Sequence, residues 1–173
     1  DRPGGAPGQG VVTRPVQVAV VDPANADAAT LDVAEEVGRR LAEAGARVVC
    51  GGLGGVMESV ARGAAGAGGD VIGILPTADP ADANPHVTHP VATGAGQARN
   101  VAVAASADAV IAIGGSWGTL SEIAHARRLG RQVVGLGSWE VRGEVSGGVD
   151  SAPDAAAATR AALDAARDGR NDV

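Results

Sequence analysis

Two glycine-rich turns hold the residues whose types and spacing could do chemistry. The first runs Gly51-Gly52-Leu53-Gly54-Gly55-Val56-Met57, straight after an apolar stretch that ends at Cys50. The second runs Gly114-Gly115-Ser116-Trp117-Gly118-Thr119, straight after Ile113. Each reads as the passage from a strand into a helix. The first N–H groups of a helix lack intrahelical acceptors and carry a partial positive charge, and glycine lets an anion come close to them. In the second turn the hydroxyls of Ser116 and Thr119 add donors. The candidate phosphate- or nucleotide-binding residues are therefore Gly52, Gly54, Gly55 and Met57 in the first turn. In the second they are Gly114, Gly115, Ser116, Trp117, Gly118 and Thr119. Neither turn completes the G-x-G-x-x-G dinucleotide fingerprint, and with no Lys in the chain neither can be a P-loop. The plainer alternative is a pair of tight strand-to-helix turns. Two in one chain, one of them carrying hydroxyls, favour an anion.

Other reactive side chains are read more plainly. Thr119-Leu120-Ser121-Glu122 has the form of a capping box, in which Glu122 would bond back to the first N–H of the helix. Arg99, beside Val101 and Val103, fits the exposed side of an amphipathic helix. His86 and His89 lie in a polar stretch far in sequence from Cys50, too few and too scattered for a metal site, so none is expected. His125 stands one helical turn after Glu122, without the further carboxylates that a dinuclear centre needs. Trp117 could stack on a base, shield the turn or meet another subunit. Glu58 and Met57 could line a pocket or simply cap and pack.

The elements that must position these turns follow from periodicity. Apolar runs at 16–21, 47–50, 70–75, 109–113 and 132–136 read as buried strands. Helices are expected over 27–44, 56–67, 97–106, 119–129 and 155–168, the first from the spacing of Leu31, Ala34, Val37 and Leu41. Residues 76–95, with Pro80, Pro85 and Pro90, read as a long irregular loop, and 143–153 as a polar one. Strand and helix alternate throughout. The expected fold is α/β: a Rossmann-like three-layer α/β/α arrangement around a mostly parallel, doubly wound sheet. Residues 1–15, polar and rich in Gly and Pro, are expected to be a disordered N-terminal tail, and 16–173 a single domain.

Composition narrows the functions. The chain has 173 residues and a net charge of −6, with 14 Arg scattered over several segments, which argues against a nucleic-acid surface. No apolar run is long enough to span a membrane, and the first fifteen residues contain nothing like a signal peptide. Cys50 is the single cysteine, so no intramolecular disulfide is possible and a cytoplasmic setting is expected. Tyr and Phe are absent, so small aliphatic side chains must fill the core. Ala102, Val103, Ile123, Ala124 and Ala126 offer more apolar surface than one sheet face covers, and a homodimer or larger homo-oligomer is expected.

The stretch from Arg99-Asn100 through Gly114-Gly115-Ser116-Trp117-Gly118-Thr119-Leu120-Ser121-Glu122 resembles the LOG (Lonely Guy) family, long labelled lysine decarboxylases. That family's motif is P-G-G-x-G-T-x-x-E. Gly51 to Glu58, Gly73-Ile74-Leu75-Pro76 and Asn84-Pro85-His86-Val87-Thr88 look closer to a sister branch. That branch contains DprA-related nucleotide-binding proteins and molybdenum cofactor carrier proteins. The resemblance spans about residues 16–168. It implies a nucleoside 5′-monophosphate phosphoribohydrolase that cleaves the N-glycosidic bond, with Arg99 and Glu122 as its catalytic pair. A carboxylate there would stabilise the developing sugar cation and orient a water, while the Arg anchors it or polarises the leaving base. Two places within the motif depart from the family: Gly114 stands for its Pro and Ser116 for a Gly. Asp22-Pro23 follows the first strand where relatives place Gly and Ser; Asp22 is expected to repel an anion, and Pro23 supplies no N–H.

The leading expectation is thus a LOG-like nucleotide-binding protein acting as a hydrolase, with no required cofactor and an AMP-like nucleotide or phosphate as ligand. The alternative is a non-catalytic carrier of the molybdenum cofactor, a phosphorylated pterin. A regulatory nucleotide sensor is a third. The phosphate turn serves all three.

Overall fold

The computed structural model describes residues 14–22, 25–142 and 147–171. Along them run β1 (Gln17–Val21), α1 (Ala28–Glu43), β2 (Arg47–Cys50), α2 (Val56–Gly66), β3 (Val71–Leu75) and β4 (His89–Ala92). Then come α3 (Arg99–Ala105), β5 (Ala109–Ile113), α4 (Trp117–Arg128), β6 (Gln132–Leu136), β7 (Asp150–Ser151) and α5 (Ala155–Asn171). The strands form one sheet in the order β4-β3-β2-β1-β5-β6-β7, every neighbouring pair parallel. This is the doubly wound α/β fold expected from the alternation of elements.

Strand period places side chains on two cores. Val18 and Val20 join Val37 and Leu41 of α1, Val60 of α2 and Ala162 of α5 on one face. Ala19 and Val21 join Val103 of α3 and Ile123 and Ala126 of α4 on the other. A parallel sheet covered on both faces needs such continuous apolar strands. Val103, Ile123 and Ala126 are fully covered within this second core, so of the surface expected to drive assembly only Ala102 and Ala124 keep any exposure.

Small residues set how closely the layers approach. A Cβ on Gly38 of α1 would lie 2.0 Å from the Val60 carbonyl oxygen, and one on Gly63 of α2 would lie 1.9 Å from that of Glu35. The two helices touch backbone to backbone there.

The five central strands fall where the apolar runs placed them. The edges differ. The irregular loop expected over 76–95 contains a 3-10 turn at Pro80–Asp82 and the strand β4, and the polar loop expected over 143–153 contains β7. Three of the four β4 residues and both β7 residues are exposed, so neither strand carries an apolar signature. Helix α4 starts at Trp117, two residues before its expected start. Most of the expected tail lies outside the described residues, as do Pro23 and residues 143–146. Arg14 is described and donates to both carboxylate oxygens of the buried Asp108, at 2.9 and 2.6 Å. Among the described residues no helix is long and apolar enough to cross a membrane.

The helix contact gives the first prediction. In a helix Ala is favoured over Gly by roughly 1 kcal/mol, but at Gly63 the steric clash dominates. Gly63→Ala is expected to destabilise the fold by roughly 1–3 kcal/mol. Gly66→Ala, where a Cβ would meet nothing within 4 Å, is expected to stabilise it by roughly 0.5 kcal/mol. Urea unfolding of the two variants checks the opposite signs.

Candidate functional site

Because every strand pair is parallel, all C-terminal strand ends meet at one edge of the sheet. The strand order reverses between β1 and β5, whose partners lie on opposite sides. Ligand crevices of open α/β sheets sit at such a reversal. Asp22 follows β1 there, Gly51 follows β2, and Gly114 follows β5.

The second turn is built around its own cap. Ser116 is the N-cap of α4; its Oγ accepts from the Thr119 N–H at 3.2 Å, and the Thr119 Oγ1 accepts from the Ser116 N–H at 3.3 Å. The capping box is therefore Ser116 with Thr119, one turn ahead of the expected Thr119 with Glu122. Thr119 is wholly buried, and its hydroxyl is taken up by Ser116. Exposed on the turn are Gly115, Trp117 and Gly118. Trp117 and Gly118 open the helix, so their N–H groups have no intrahelical acceptor. Trp139 backs the turn: its Nε1 donates to the Ser116 carbonyl at 3.0 Å, and its ring packs where a Cβ on Gly115 would stand.

Gly114, in the left-handed region at φ 67°, joins this turn to a hollow of about 350 Å³. Its walls are Asp27, Ala29, Thr30 and Val33 at the head of α1, Ile113, Leu136 and Gly137 at strand ends, and 152–155 at the head of α5. Hollows of this size hold small ligands. A larger one, about 490 Å³, lies over α1 and α2 among the surface pairs Arg39–Glu36 and Arg62–Glu35, away from the strand ends.

The first turn is more closed. Gly52, in the left-handed region, leaves room for Leu75 and for Gly73 of β3, and its carbonyl accepts from the Asn84 N–H at 2.9 Å. Asn84 also donates through Nδ2 to the Leu53 carbonyl at 2.9 Å. Gly52 thus serves strand packing, while Gly54 is exposed and Gly55 caps α2 with no side-chain acceptor. Gly51 makes way for Arg99: a Cβ there would lie 1.9 Å from the guanidinium and 2.6 Å from the Met57 sulfur.

Arg99 is not the exposed residue of an amphipathic face. It is buried, donates through Nη1 to the Ile74 carbonyl at 3.0 Å, and its Nε has no partner. Glu122, freed from capping, is buried in α4 and close enough to feel the Arg99 charge. Asp22 completes the group. The Met57 N–H at the head of α2 lies on the side that favours its charged form, and the Asp22 Oδ2 is buried without a partner. Burial raises Asp22 to about 8, with the Glu122 charge adding to the rise and Arg99 opposing it. Burial likewise raises Glu122 to about 7 against the pull of Arg99. Near neutrality Asp22 is mostly protonated, so the repulsion expected of it is largely absent.

Burial drives the Cys50 thiol up to about 12, which leaves it inert as a nucleophile. Among the described residues no three His, Cys, Asp or Glu side chains gather to hold a metal. Sequence reasoning missed two residues here. Trp139 had no signal beyond being one of only two aromatics, and the burial of Asp22 is visible only in three dimensions.

Residues 15–162 match the SLOG cluster4 family. The chain belongs to that family. An uncharacterised protein of Archaeoglobus fulgidus is 42% identical over 121 residues, covering 70% of this chain and 80% of that one. Among solved structures, the molybdenum cofactor binding protein of Rippkaea orientalis is 36% identical, covers 73% of this chain and 78% of its own, and superposes with a TM-score of 0.70. The Moco carrier protein of Chlamydomonas reinhardtii is 32% identical with a TM-score of 0.79, covering 90% of this chain and 99% of its own. These likenesses agree with the sister branch read from sequence. They lend no support to hydrolysis.

The two acids make the folding of this SLOG cluster4 chain pH-dependent at this edge. Their folded-state pKa values lie above the ordinary carboxylate range, so from about pH 4 to about pH 8 the folded chain holds more protons than the unfolded one. The stability of the neutral form is fully present below that window and is lost as pH rises through it. Asp22→Asn, which cannot ionise, is expected to melt higher than the native chain by a margin that grows from pH 5 to pH 8. Thermal melts at pH 5, 6.5 and 8 check this; a margin independent of pH would contradict the burial cost.

Proposed function

We propose that this chain binds a phosphorylated pterin of the molybdenum cofactor type and carries it without chemical change. The observation that carries the reading is the near full-length likeness to a Moco carrier protein. The geometry supports it. The exposed head of α4 offers N–H groups to a phosphate, and Gly114 opens from there into the hollow between the heads of α1 and α5. Gly54 and Gly55 at the head of α2 are proposed as a second, weaker set of donors. Arg99, Asp22 and Glu122 would meet the polar edge of the ligand: Arg99 as a fixed cation, the protonated acids as donors.

One observation favours N-glycosidic hydrolysis as a second reading. Arg99 and Glu122 meet at the same edge, and an acid at about 7 lies in the range for proton transfer. Stabilising a sugar cation by charge, however, needs Glu122 ionised, and its burial opposes that. Assembly into a homodimer is proposed on Val101 and Leu129, the large apolar side chains that α3 and the end of α4 leave exposed. Sedimentation as a monomer at micromolar concentration would overturn it.

Gly118 allows a clean test. A Cβ there would meet only the Ser116 Oγ, at an ordinary 3.5 Å, so the Cβ of a Gly118→Val side chain has room in the free protein while its methyls stand in the path of an incoming phosphate. Purified from a molybdenum-replete host, the native chain is expected to retain molybdenum together with pterin, measured by elemental analysis and by fluorescence after oxidation. Gly118→Val is expected to retain at least tenfold less while its melting temperature stays within about 2 °C. Release of free base from nucleoside 5′-monophosphates, with no pterin retained, would overturn the carrier reading. Glu122→Gln should then slow that release by roughly a hundredfold.

A further inference from the structure

The chain contains two Trp and no Phe or Tyr, and the two indoles stand side by side. Their ring centroids are 5.4 Å apart at an interplanar angle of 34°, an offset contact of the kind aromatic pairs prefer. The roles of the two differ. Trp139 is part of the scaffold: it is hydrogen-bonded to Ser116 and packed on Gly115. Trp117 is the first residue of α4 and 78% exposed, the most exposed large apolar side chain among the described residues. Trp is highly buried on average, and an indole standing this open beside a turn of free N–H groups offers a flat face to a ligand held there.

We infer that Trp117, braced from behind by Trp139, is a stacking platform for a fused nitrogen heterocycle on the ligand whose phosphate sits at the head of α4. This rests on the phosphate seat proposed above and adds what that seat lacks, a means to select the ring. A phosphate on the N–H groups of Trp117 and Gly118 lies within a few ångströms of the indole, so one short linker spans both contacts. Trp139 holds the platform at a fixed tilt, so stacking orders no further side chain. Its bond to the Ser116 carbonyl ties that tilt to the turn itself. Flat, electron-poor rings such as pterin and purine fit this surface, while a bare sugar phosphate leaves it empty.

Guanosine 5′-monophosphate and ribose 5-phosphate separate the contributions, since both carry the phosphate and only one the ring. By calorimetry, Trp117→Ala is expected to weaken guanosine 5′-monophosphate by roughly tenfold or more, the scale of a lost base–aromatic stack, and to leave ribose 5-phosphate unchanged. Trp117→Phe should recover part of the loss. The two Trp dominate the intrinsic fluorescence, which the nucleotide should quench and the sugar phosphate should not. An equal loss for both ligands would mean that Trp117 shapes the turn, and no loss for either that it takes no part; both overturn the platform. So does a shift of Trp117→Ala to a smaller oligomer with nucleotide affinity unchanged, which would make Trp117 a subunit contact. Should the native chain bind neither ligand, the phosphate seat itself fails and the platform with it. Should Gly118→Val abolish ribose 5-phosphate binding while Trp117→Ala leaves the nucleotide untouched, the seat stands and only the platform falls.

Discussion

Everything in this molecule is arranged around a parallel sheet that must be covered on both faces by a chain without Phe or Tyr. Parallel strands expose no face to water, so each central strand needs apolar side chains above and below. Val, Ala and Ile supply them in alternation, as Val18 and Val20 against Ala19 and Val21 show. Small side chains fill a layer only if the layers close up. The backbone contact of α1 with α2 at Gly38 and Gly63 is that closure. The same parallel register gathers every C-terminal strand end at one edge, and the outward divergence of the partners of β1 and β5 opens the crevice there.

Close packing at that edge also explains its electrostatics. Gly51 has no side chain, and Arg99 fills the place one would occupy. A guanidinium cannot shed its charge under burial, whereas a carboxyl can take up a proton. The two acids beside it are pushed up toward neutrality by their own desolvation, against its pull. Asp22 goes further because it also faces the charge of Glu122. The site reads as one fixed cation with two acids that burial protonates against its pull.

The central strands and all five helices were legible because burial on both faces leaves apolar runs that local composition reveals. β4 and β7 were not, since edge strands keep their side chains in water and look like loop. The start of α4 was ambiguous for a specific reason. Ser116 and Thr119 can each cap, and Thr119 with Glu122 makes the more familiar box. Opening at Ser116 adds two residues to the helix and leaves Glu122 free of capping, buried within reach of the Arg99 charge. Arg99 itself looked like a surface residue because its hydrophobic neighbours are adjacent in sequence. The vacancy that receives it lies far upstream, at Gly51. Both glycine turns were recognised, but sequence cannot separate a glycine that admits a neighbouring strand, as Gly52 does for Gly73, from one that leaves room for a ligand.

The chain carries a net charge of −6, yet the ligand proposed for it is an anion. The overall field therefore opposes capture, and affinity must come from groups within a few ångströms of the phosphate. Backbone N–H groups at the head of α4 are such groups, because their partial charge is fixed by the helix and does not depend on the field of the whole protein. Acids elsewhere on the surface act through water and salt and are largely screened at this range. Asp22 and Glu122 are different, being desolvated, and if ionised they would act at low dielectric on an anion at the strand ends. The burial that raises their pKa values reduces that negative charge near neutrality, most of all at Asp22. Dense packing at the strand ends is thus what makes an acidic protein compatible with an anionic ligand at this edge.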